Sequence, residues 1–379
     1  MSDEIRDQKR RRDVSRRDFI KLAAAAGLLA GCSPTGQPTT PPTGAAPAGD
    51  GTTPAPPAAS DPVPTTAPDP TPTLEPAGAP AWRELIKVYP DGPSRLVHTH
   101  HAGVWDGEAL QPAAIREMLD ASITQLTGLN DAGQAWAAMF DPGARIAIKV
   151  NTIQGSGFWT HVPLVLGVTE CLQDAGVPPE QIVVFDRLTY ELEADGFPIN
   201  LDGPGVRCYG TNTGSSYATG WTLEGRDIGL SNVLLECDAL INMPIIKQHS
   251  MSGISFAMKN HYGTFDQPHW FHGNLGYSIA ELNALAPIRN RTRLIIGDAL
   301  EVSTHSWYIG VPGDSILMSL DPVAHDTLGL QIHAEALAAA GGNPDRATGV
   351  ASLWLANGVA MGLGTNEPDN MDLVEVTLA

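Results

Sequence analysis

The side chains that could do chemistry are concentrated in one stretch beyond the middle of this 379-residue chain. In order they are Asn242, Lys247, His249, Lys259 and Asn260. A histidine titrates near neutral pH, so His249 in a cleft could carry a proton. Lysine ammonium groups attract a carboxylate or a phosphate. The stretch therefore predicts acid–base chemistry on a small anionic substrate, with His249 as the proton carrier and Lys247 and Lys259 as holders of the anion.

The elements that must position these side chains follow an alternating pattern. Short β-branched runs, typical of buried strands, lie at 145–150, 181–186, 238–243, 293–298 and 315–320. Segments with helical spacing or helix-end signals lie at 162–175, 278–286, 322–340 and 346–357. Strands that alternate with helices predict an α/β fold, with a mainly parallel sheet and helices on both faces.

Polar residues at the ends of the predicted strands indicate where a ligand would bind. In parallel sheets, ligands bind outside the carboxyl ends of the strands. Lys149 and Asn151 follow the first predicted strand, Asn242 lies at the end of a later one, and Asp298 ends another. We therefore expect one ligand pocket, lined by Lys149, Asn151, Asn242, Lys247, His249, Lys259, Asn260 and Asp298.

Several of the eleven histidines have a spacing that suits metal ligands. His269 and His272 are three residues apart, and His261 lies shortly before them. Imidazole nitrogens bind divalent ions. A divalent metal held by His261, His269 and His272 is therefore a candidate cofactor. The alternative is that these are ordinary polar histidines beside aromatic residues.

The same region resembles the family called domain of unknown function 362. That family has a strand ending in Asn-x-Pro, then Lys-x-His, a turn containing glycine, and Lys-Asn-x-x-Gly. The matching residues are Asn242, Pro244, Lys247, His249, Gly253, Lys259, Asn260 and Gly263. The Lys-x-Asn at 149–151 and the segment Asp321–Asp326 also fit. The resemblance covers most of 145–340 and implies an α/β fold and export, but no particular reaction.

A weaker similarity is to the nickel-pincer lactate racemases. In those enzymes a lysine ten residues after a histidine holds the pincer cofactor, and histidines exchange the substrate proton. His249 and Lys259 keep that interval. The racemases have Gly-Gly directly before the lysine, where this chain has Ala257 and Met258. The similarity implies proton exchange at His249 and cofactor attachment at Lys259, on a motif that lacks those glycines.

The spacing of the cysteines tests for an iron–sulfur cluster, because some members of the first family carry a ferredoxin-like iron–sulfur segment. Here Cys171, Cys208 and Cys237 are far apart and form no Cys-x-x-Cys. We therefore expect no ferredoxin-type cluster.

The composition excludes several classes of protein. With 23 Lys and Arg against 42 Asp and Glu, the formal net charge is −19. This balance argues against a nucleic-acid partner, because neutralising phosphates requires a basic face. Four cysteines in so long a chain also exclude a disulfide-stapled scaffold.

The N-terminal leader is the basic part of the chain. Arg16 and Arg17 lie in a Ser-Arg-Arg-x-Phe-Ile-Lys sequence that resembles the twin-arginine export motif. The apolar run that follows is too short to span a bilayer and ends in Leu-Ala-Gly-Cys, which resembles a lipobox. We therefore expect a signal peptide at 1–31 that engages the twin-arginine export machinery. Acylation of Cys32 would then anchor the protein at the outer face of the cytoplasmic membrane, or elsewhere in the periplasm or cell envelope.

Residues 32–80 consist mainly of Pro, Thr, Ala and Gly. Such a segment cannot bury enough apolar surface to offset the entropy lost on ordering, so we expect a disordered tether. The α/β domain would then occupy 81–379.

The sequence is compatible with two functions of this domain. The first is an enzyme acting on a small anion. The alternative is a non-catalytic envelope protein that binds a small anion, and turnover of the ligand would distinguish the two. A third interpretation, an assembly module, is disfavoured by the low aromatic content of 6%.

Overall fold

The computed structural model of the protein describes residues 82–152, 158–305 and 309–379. In these ranges no helix combines the length and the apolar character needed to cross a membrane. The predicted signal peptide, lipidation site and tether lie outside the described residues and stay predictions.

Strands and helices alternate along most of the described chain. The strands are β1 (Ser94–His101), β2 (Trp105–Asp106), β3 (Ala109–Leu110), β4 (Ile146–Lys149), β5 (Ile182–Asp186), β6 (Arg207–Gly210), β7 (Tyr217–Leu223), β8 (Arg226–Ser231), β9 (Ala239–Asn242), β10 (Ile245–His249), β11 (Gly253–Ser255), β12 (Thr292–His305), β13 (Ile309–Ser319) and β14 (Met371–Leu378). The helices are α1 (Trp82–Leu85), α2 (Pro112–Thr127), α3 (Ala132–Met139), α4 (Val162–Asp174), α5 (Thr189–Ala194), α6 (Thr211–Gly214), α7 (Asn232–Glu236), α8 (Ala257–Asn260), α9 (Leu275–Ala284), α10 (Ala286–Arg291), α11 (Pro322–Ala339) and α12 (Pro344–Ala360).

One large sheet forms the centre of the fold. Its strand order is β14-β1-β13-β12-β9-β4-β5-β6, with β10 beside β12 and β11 beside β10. The neighbours from β12 to β6 are parallel, as are β1 with β14 and β10 with β12. β13 is antiparallel to both β1 and β12, and β11 is antiparallel to β10. The predicted α/β class with a mainly parallel sheet is confirmed.

Helices cover both faces of this sheet because its central strands are buried on both sides. In β4, Ile146 and Ile148 face one apolar core and Ala147 faces the other, as the alternation of side chains along a strand requires. The first core is completed by α2, α3 and α4, and the second by α9 to α12. A short continuous apolar run in the sequence is typical of parallel strands in this position.

The expected segments are present, with differences at their ends. The helix expected after Asp321 is α11, and the Asp321 carboxylate caps it by accepting the N–H groups of Val323 and Ala324 at 2.9 Å. The strands expected at 293–298 and 315–320 are longer than predicted, because β12 and β13 pair with each other in an antiparallel hairpin. The sequence of one strand does not show with which other strand it pairs, so this extra length could not be predicted.

Candidate functional site

Neighbouring strand ends bring many of the predicted pocket residues into one region. β4 and β9 pair in parallel, with Lys149 opposite Asn242. β10 carries Lys247 and His249 and turns back into β11, where His249 pairs with Gly253. The site is therefore built on a parallel strand pair and an adjacent hairpin.

The turn of this hairpin requires a glycine. Gly253 has a φ of +85°, which residues with side chains rarely adopt, and a Cβ here would lie 2.3 Å from the Ala347 carbonyl oxygen of α12. The Trp354 indole, also on α12, donates to the Ser252 carbonyl at 3.0 Å. The turn that follows His249 is thus held closely against α12.

Helix α8 follows the hairpin and carries two of the predicted residues, Lys259 and Asn260. Its start is fixed by the buried carboxylate of Asp326 on α11, which accepts the backbone N–H groups of Ala257 at 2.7 Å and Met258 at 2.8 Å. Burial raises the pKa of Asp326 to about 7, although these two hydrogen bonds act in the opposite direction. The Asp326 carboxylate therefore fixes the position of the first turn of α8.

The first group of site residues is a buried amide network, made of Lys149, Asn151, Asp186, Asn242 and Asn260. Asn260 lies at its centre: its Oδ1 accepts from Lys149 Nζ at 3.3 Å and from Asn151 Nδ2 at 3.1 Å. Its Nδ2 donates to Asn242 Oδ1 at 2.7 Å. This amide network ties β4 and β9 to α8.

Within the amide network, the charge of Lys149 is compensated. Its Nζ lies 2.8 Å from Asp186 Oδ1 and donates to the Val150 carbonyl at 2.6 Å. Burial lowers the pKa of Lys149, and the carboxylate of Asp186 opposes that effect. Asp186 also accepts the N–H of Thr152 at 2.7 Å. Asp186 was visible as a strand-end residue, but its role as the partner of Lys149 depends on the pairing of β4 with β5.

The second group is a lysine–histidine cluster, made of Lys247, His249, Lys259 and His272. Lys247 is 1% exposed and donates to the Phe158 carbonyl at 3.2 Å. Burial lowers its pKa to about 8, against the attraction of nearby carboxylates. In the described ranges Lys247 has no carboxylate within ion-pair distance, in contrast to Lys149.

Lys259 is the second cation of this cluster. It is 6% exposed, and its Nζ lies 4.1 Å from the centre of the Tyr262 ring, a cation–π contact. Burial, followed by the charge of Lys247, lowers the pKa of Lys259 to about 7. Among the described residues it too lacks an ion pair with a carboxylate. Tyr262 was not predicted from the sequence as a site residue, although it occupies a variable position of the Lys-Asn-x-x-Gly motif.

The two histidines of the cluster are half-buried, and their ring centres are 6.0 Å apart. His249 Nδ1 accepts the N–H groups of Met251 at 3.3 Å and Ser252 at 3.1 Å, which places the ring proton on Nε2. Burial, then Lys259, lowers the pKa of His249 to about 3, and burial also lowers the pKa of His272. At neutral pH His249 is therefore an uncharged hydrogen-bonding group and a weak base. This differs from the proton carrier expected from the sequence, because burial beside cations cannot be read from residue type.

The predicted metal site does not form in the part of the chain that the structure describes. His261 is 1% exposed and faces Asn242, His269 is exposed, and His272 donates to the Pro268 carbonyl at 2.9 Å. These ranges contain no group of three His, Cys, Asp or Glu side chains that could hold a metal ion. Because a resident divalent ion needs such a set, the described residues do not fit one. The prediction failed because a three-residue spacing suits ligands only when all the side chains point to one place.

Asp298 is a predicted pocket residue whose side chain pairs with a histidine and not with a lysine. Its Oδ2 lies 2.8 Å from His161 Nδ1 and accepts the His161 backbone N–H at 2.7 Å. Burial tends to lower the pKa of His161, but Asp298 and Glu301 outweigh it and raise that pKa to about 10. The pair joins residues 137 positions apart, and no signal around His161 in the sequence indicated it. Asp298 is therefore the counter-ion of a histidine, and no ion pair in the described chain joins it to a lysine.

Residues 146–331 match the family model described as "Domain of unknown function (DUF362)". Among curated proteins no match is found. Two solved structures are similar at low identity. The lactate racemase apoprotein from Thermoanaerobacterium thermosaccharolyticum is 12% identical, with a TM-score of 0.37, over 67% of this chain and 58% of that one. A protein from Thermotoga maritima is 14% identical, with a TM-score of 0.37, over 62% of this chain and 60% of that one.

The chain thus spans about three fifths of the length of each of these two structures. The matched residues 146–331 include the amide network and the lysine–histidine cluster. This segment of the chain therefore matches the model of domain of unknown function 362.

Proposed function

We propose that this protein is an enzyme that binds a small carboxylate at Lys247 and Lys259 and removes a proton from it, with the amine of Lys259 as the base. The observation that carries this proposal is two buried ammonium groups, of which neither has a carboxylate partner within the described residues. Burying an unpaired charge is costly unless an opposite charge arrives. A bound carboxylate would supply it.

The two lysines suit different roles because their pKa values differ. Lys247, with a pKa of about 8, is mostly protonated at pH 7 and can hold an anion. Lys259, with a pKa of about 7, is half deprotonated at that pH, which is the range that favours general-base catalysis.

The proton balance of this reaction is simple. The Lys259 amine would take the proton from the carbon next to the carboxylate and become an ammonium group. In D2O that ammonium group exchanges with solvent, so a deuteron returns to the carbon. The reaction needs no oxidant or reductant.

The test is deuterium exchange into glycolate and lactate, followed by the loss of the carbon-bound proton signal in 1H NMR. We expect exchange with the parent protein and a loss of about 100-fold or more in Lys259→Met. Lys247→Met should mainly weaken binding, by about tenfold, because it removes the holder of the anion. Lys87→Met, at an exposed lysine, is the matched control and should behave as the parent.

The outcomes separate the two candidate functions. A carboxylate that binds in a Lys247-dependent manner without exchange would favour the alternative, a non-catalytic binding protein for a small anion. If the folded parent shows neither binding nor exchange, the buried lysines have a structural role and the proposal is wrong.

We also propose that the protein is exported by the twin-arginine machinery and anchored to the membrane through Cys32. The support is the leader sequence, with its Arg16-Arg17 pair and lipobox-like cysteine. In a bacterial host fed with radioactive palmitate, the full chain should be labelled and Cys32→Ser should not. Replacing both arginines with lysine should leave the protein in the cytoplasm. Labelling that persists in Cys32→Ser would contradict the anchor.

A further inference from the structure

A cavity of about 200 Å³ lies on the side of the sheet covered by α10 and α11, next to the amide network. The apolar part of its lining includes Ile288, Leu320 and Leu363. None of the three buried lysines of the described chain lines it. It is therefore a separate space from the lysine–histidine cluster, and the proposed function does not use it.

The closed end of the cavity is polar. It is lined by Asn242, His261 and Asn283, all of which are buried. The amide Nδ2 of Asn242 lies 3.4 Å from His261 Nε2, and because the amide nitrogen donates, Nε2 accepts and the ring proton is on Nδ1. That Nδ1 has no hydrogen-bond partner among the described residues. This Nδ1 is itself buried out of reach of water, so His261 closes this end of the cavity and offers no hydrogen bond to a ligand.

Asn283 adds an acceptor at the same end. Both hydrogens of its amide are used, because Nδ2 donates to the carbonyls of Met258 and Ile279 at 2.8 Å. The remaining polar atom, Oδ1, can only accept. A ligand hydroxyl at this end could therefore donate to Asn283.

The open end of the cavity is cationic. Arg289, which is exposed, lies there beside the partly exposed Tyr89. One guanidinium nitrogen of Arg289 donates to the Gly362 carbonyl at 2.8 Å, which fixes the side chain at the mouth of the cavity. Guanidinium has five N–H donors, so others can face a carboxylate.

We propose that this cavity binds a small aromatic monocarboxylate that carries a hydroxyl group at the far end of its ring. The hydroxyl would lie at Asn283, the ring against the apolar side chains, and the carboxylate at Arg289. The size is appropriate, since a dry cavity of about 150 Å³ is sufficient for benzene. Asn242 lines the cavity and also bonds to Asn260, so the ligand would contact the amide network without contacting the lysine–histidine cluster.

The test is isothermal titration with 4-hydroxybenzoate. We expect the parent protein to bind it, and Arg289→Gln to bind it about tenfold or more weakly because the charged hydrogen bonds are lost. Arg226→Gln, at another exposed arginine, is the matched control and should bind within twofold of the parent. Benzoate, which lacks the hydroxyl, should bind the parent about five- to tenfold more weakly than 4-hydroxybenzoate.

Lys259→Met distinguishes this cavity from the proposed carboxylate site. If 4-hydroxybenzoate binds in the cavity, its affinity is unchanged in Lys259→Met. Loss of binding in that variant, with normal binding in Arg289→Gln, would place the ligand at the lysine–histidine cluster and overturn the inference, while supporting the proposed function. Absence of binding to the folded parent, or equal affinity of benzoate and 4-hydroxybenzoate, would also overturn it.

Discussion

Lys149 and Lys259 are both buried, and both lie in the same polar region at the ends of the strands, yet their surroundings differ. Lys149 has a carboxylate at 2.8 Å, an amide oxygen and a backbone carbonyl. Lys259 has an aromatic ring at 4.1 Å, with another lysine near enough to lower its pKa. The charge of Lys149 is thus compensated within the described chain, whereas the lysine–histidine cluster has positive charge in excess.

This difference separates a structural role from a functional one. A charge that the fold compensates needs no ligand, and removing its partner is costly because an isolated buried charge remains. A charge that the fold leaves uncompensated lowers stability in the absence of a ligand, and such strained sites are typical of function. The following predictions test whether the two regions differ in this way.

The largest expected effect is that of Asp186→Asn in the amide network. The substitution keeps the shape of the side chain but leaves the Lys149 ammonium without a counter-ion in a fully buried place. We expect the free energy of unfolding to fall by about 3–5 kcal/mol, measured by urea denaturation.

The control for this prediction is the double variant Asp186→Asn with Lys149→Met. Removing the unpaired charge should restore part of the stability, because the cost arises from the isolated ammonium group. If Asp186→Asn lowered the free energy of unfolding by less than about 1 kcal/mol, groups other than Asp186 would compensate the charge of Lys149. The amide network would then not depend on this ion pair.

A smaller effect is expected at Gly263, which makes room for the same ion pair. A Cβ at this position would lie 2.3 Å from Asp186 Oδ1 and 2.5 Å from Lys149 Nζ. Gly263→Ala should therefore push the pair apart and lower the free energy of unfolding by about 2–3 kcal/mol.

Gly273→Ala is the matched control, because nothing lies within 4 Å of a Cβ there. It should change stability by less than about 0.5 kcal/mol. If both substitutions changed the free energy of unfolding equally in the same denaturation series, the effect of Gly263→Ala would come from backbone freedom and not from the space around the ion pair.

The sequence predicted the parts of this site that depend on local pattern. The apolar runs that became β4 and β9 ended in polar residues, and the parallel pairing of the two strands places Lys149 opposite Asn242. The Lys-Asn-x-x-Gly motif indicated Lys259 and Asn260 as site residues, although no pattern predicted the short helix α8 on which they lie. Such inferences succeed because alternation, strand ends and helix starts are properties of a few neighbouring residues.

What could not be predicted depends on contacts between distant segments. Asp298 looked like a pocket residue, but its partner is His161, which comes from the start of α4. His249 looked like a proton carrier, but burial beside Lys259 holds its pKa at about 3. The sequence carries neither the depth at which a side chain is buried nor the charge that lies beside it, and these two quantities decide protonation.

The last prediction concerns the uncompensated side of the comparison and uses the pH dependence of Lys259→Met. In the unfolded chain Lys259 binds a proton up to its ordinary pKa of 10.5, whereas in the folded chain it does so only up to about 7. Between these values the unfolded state holds more protons, so Lys259 makes the parent more stable as the pH rises.

His161, with a raised pKa, acts in the opposite direction in both proteins and cancels in their difference. Relative to Lys259→Met, the parent should therefore gain about 2 kcal/mol between pH 7 and pH 9, since one pKa unit corresponds to about 1.4 kcal/mol. Denaturation of both proteins at the two pH values measures this gain. If the difference in the free energy of unfolding between the two proteins were the same at both pH values, Lys259 would have its ordinary pKa in the folded chain. Lys259 could then not be assigned as the base.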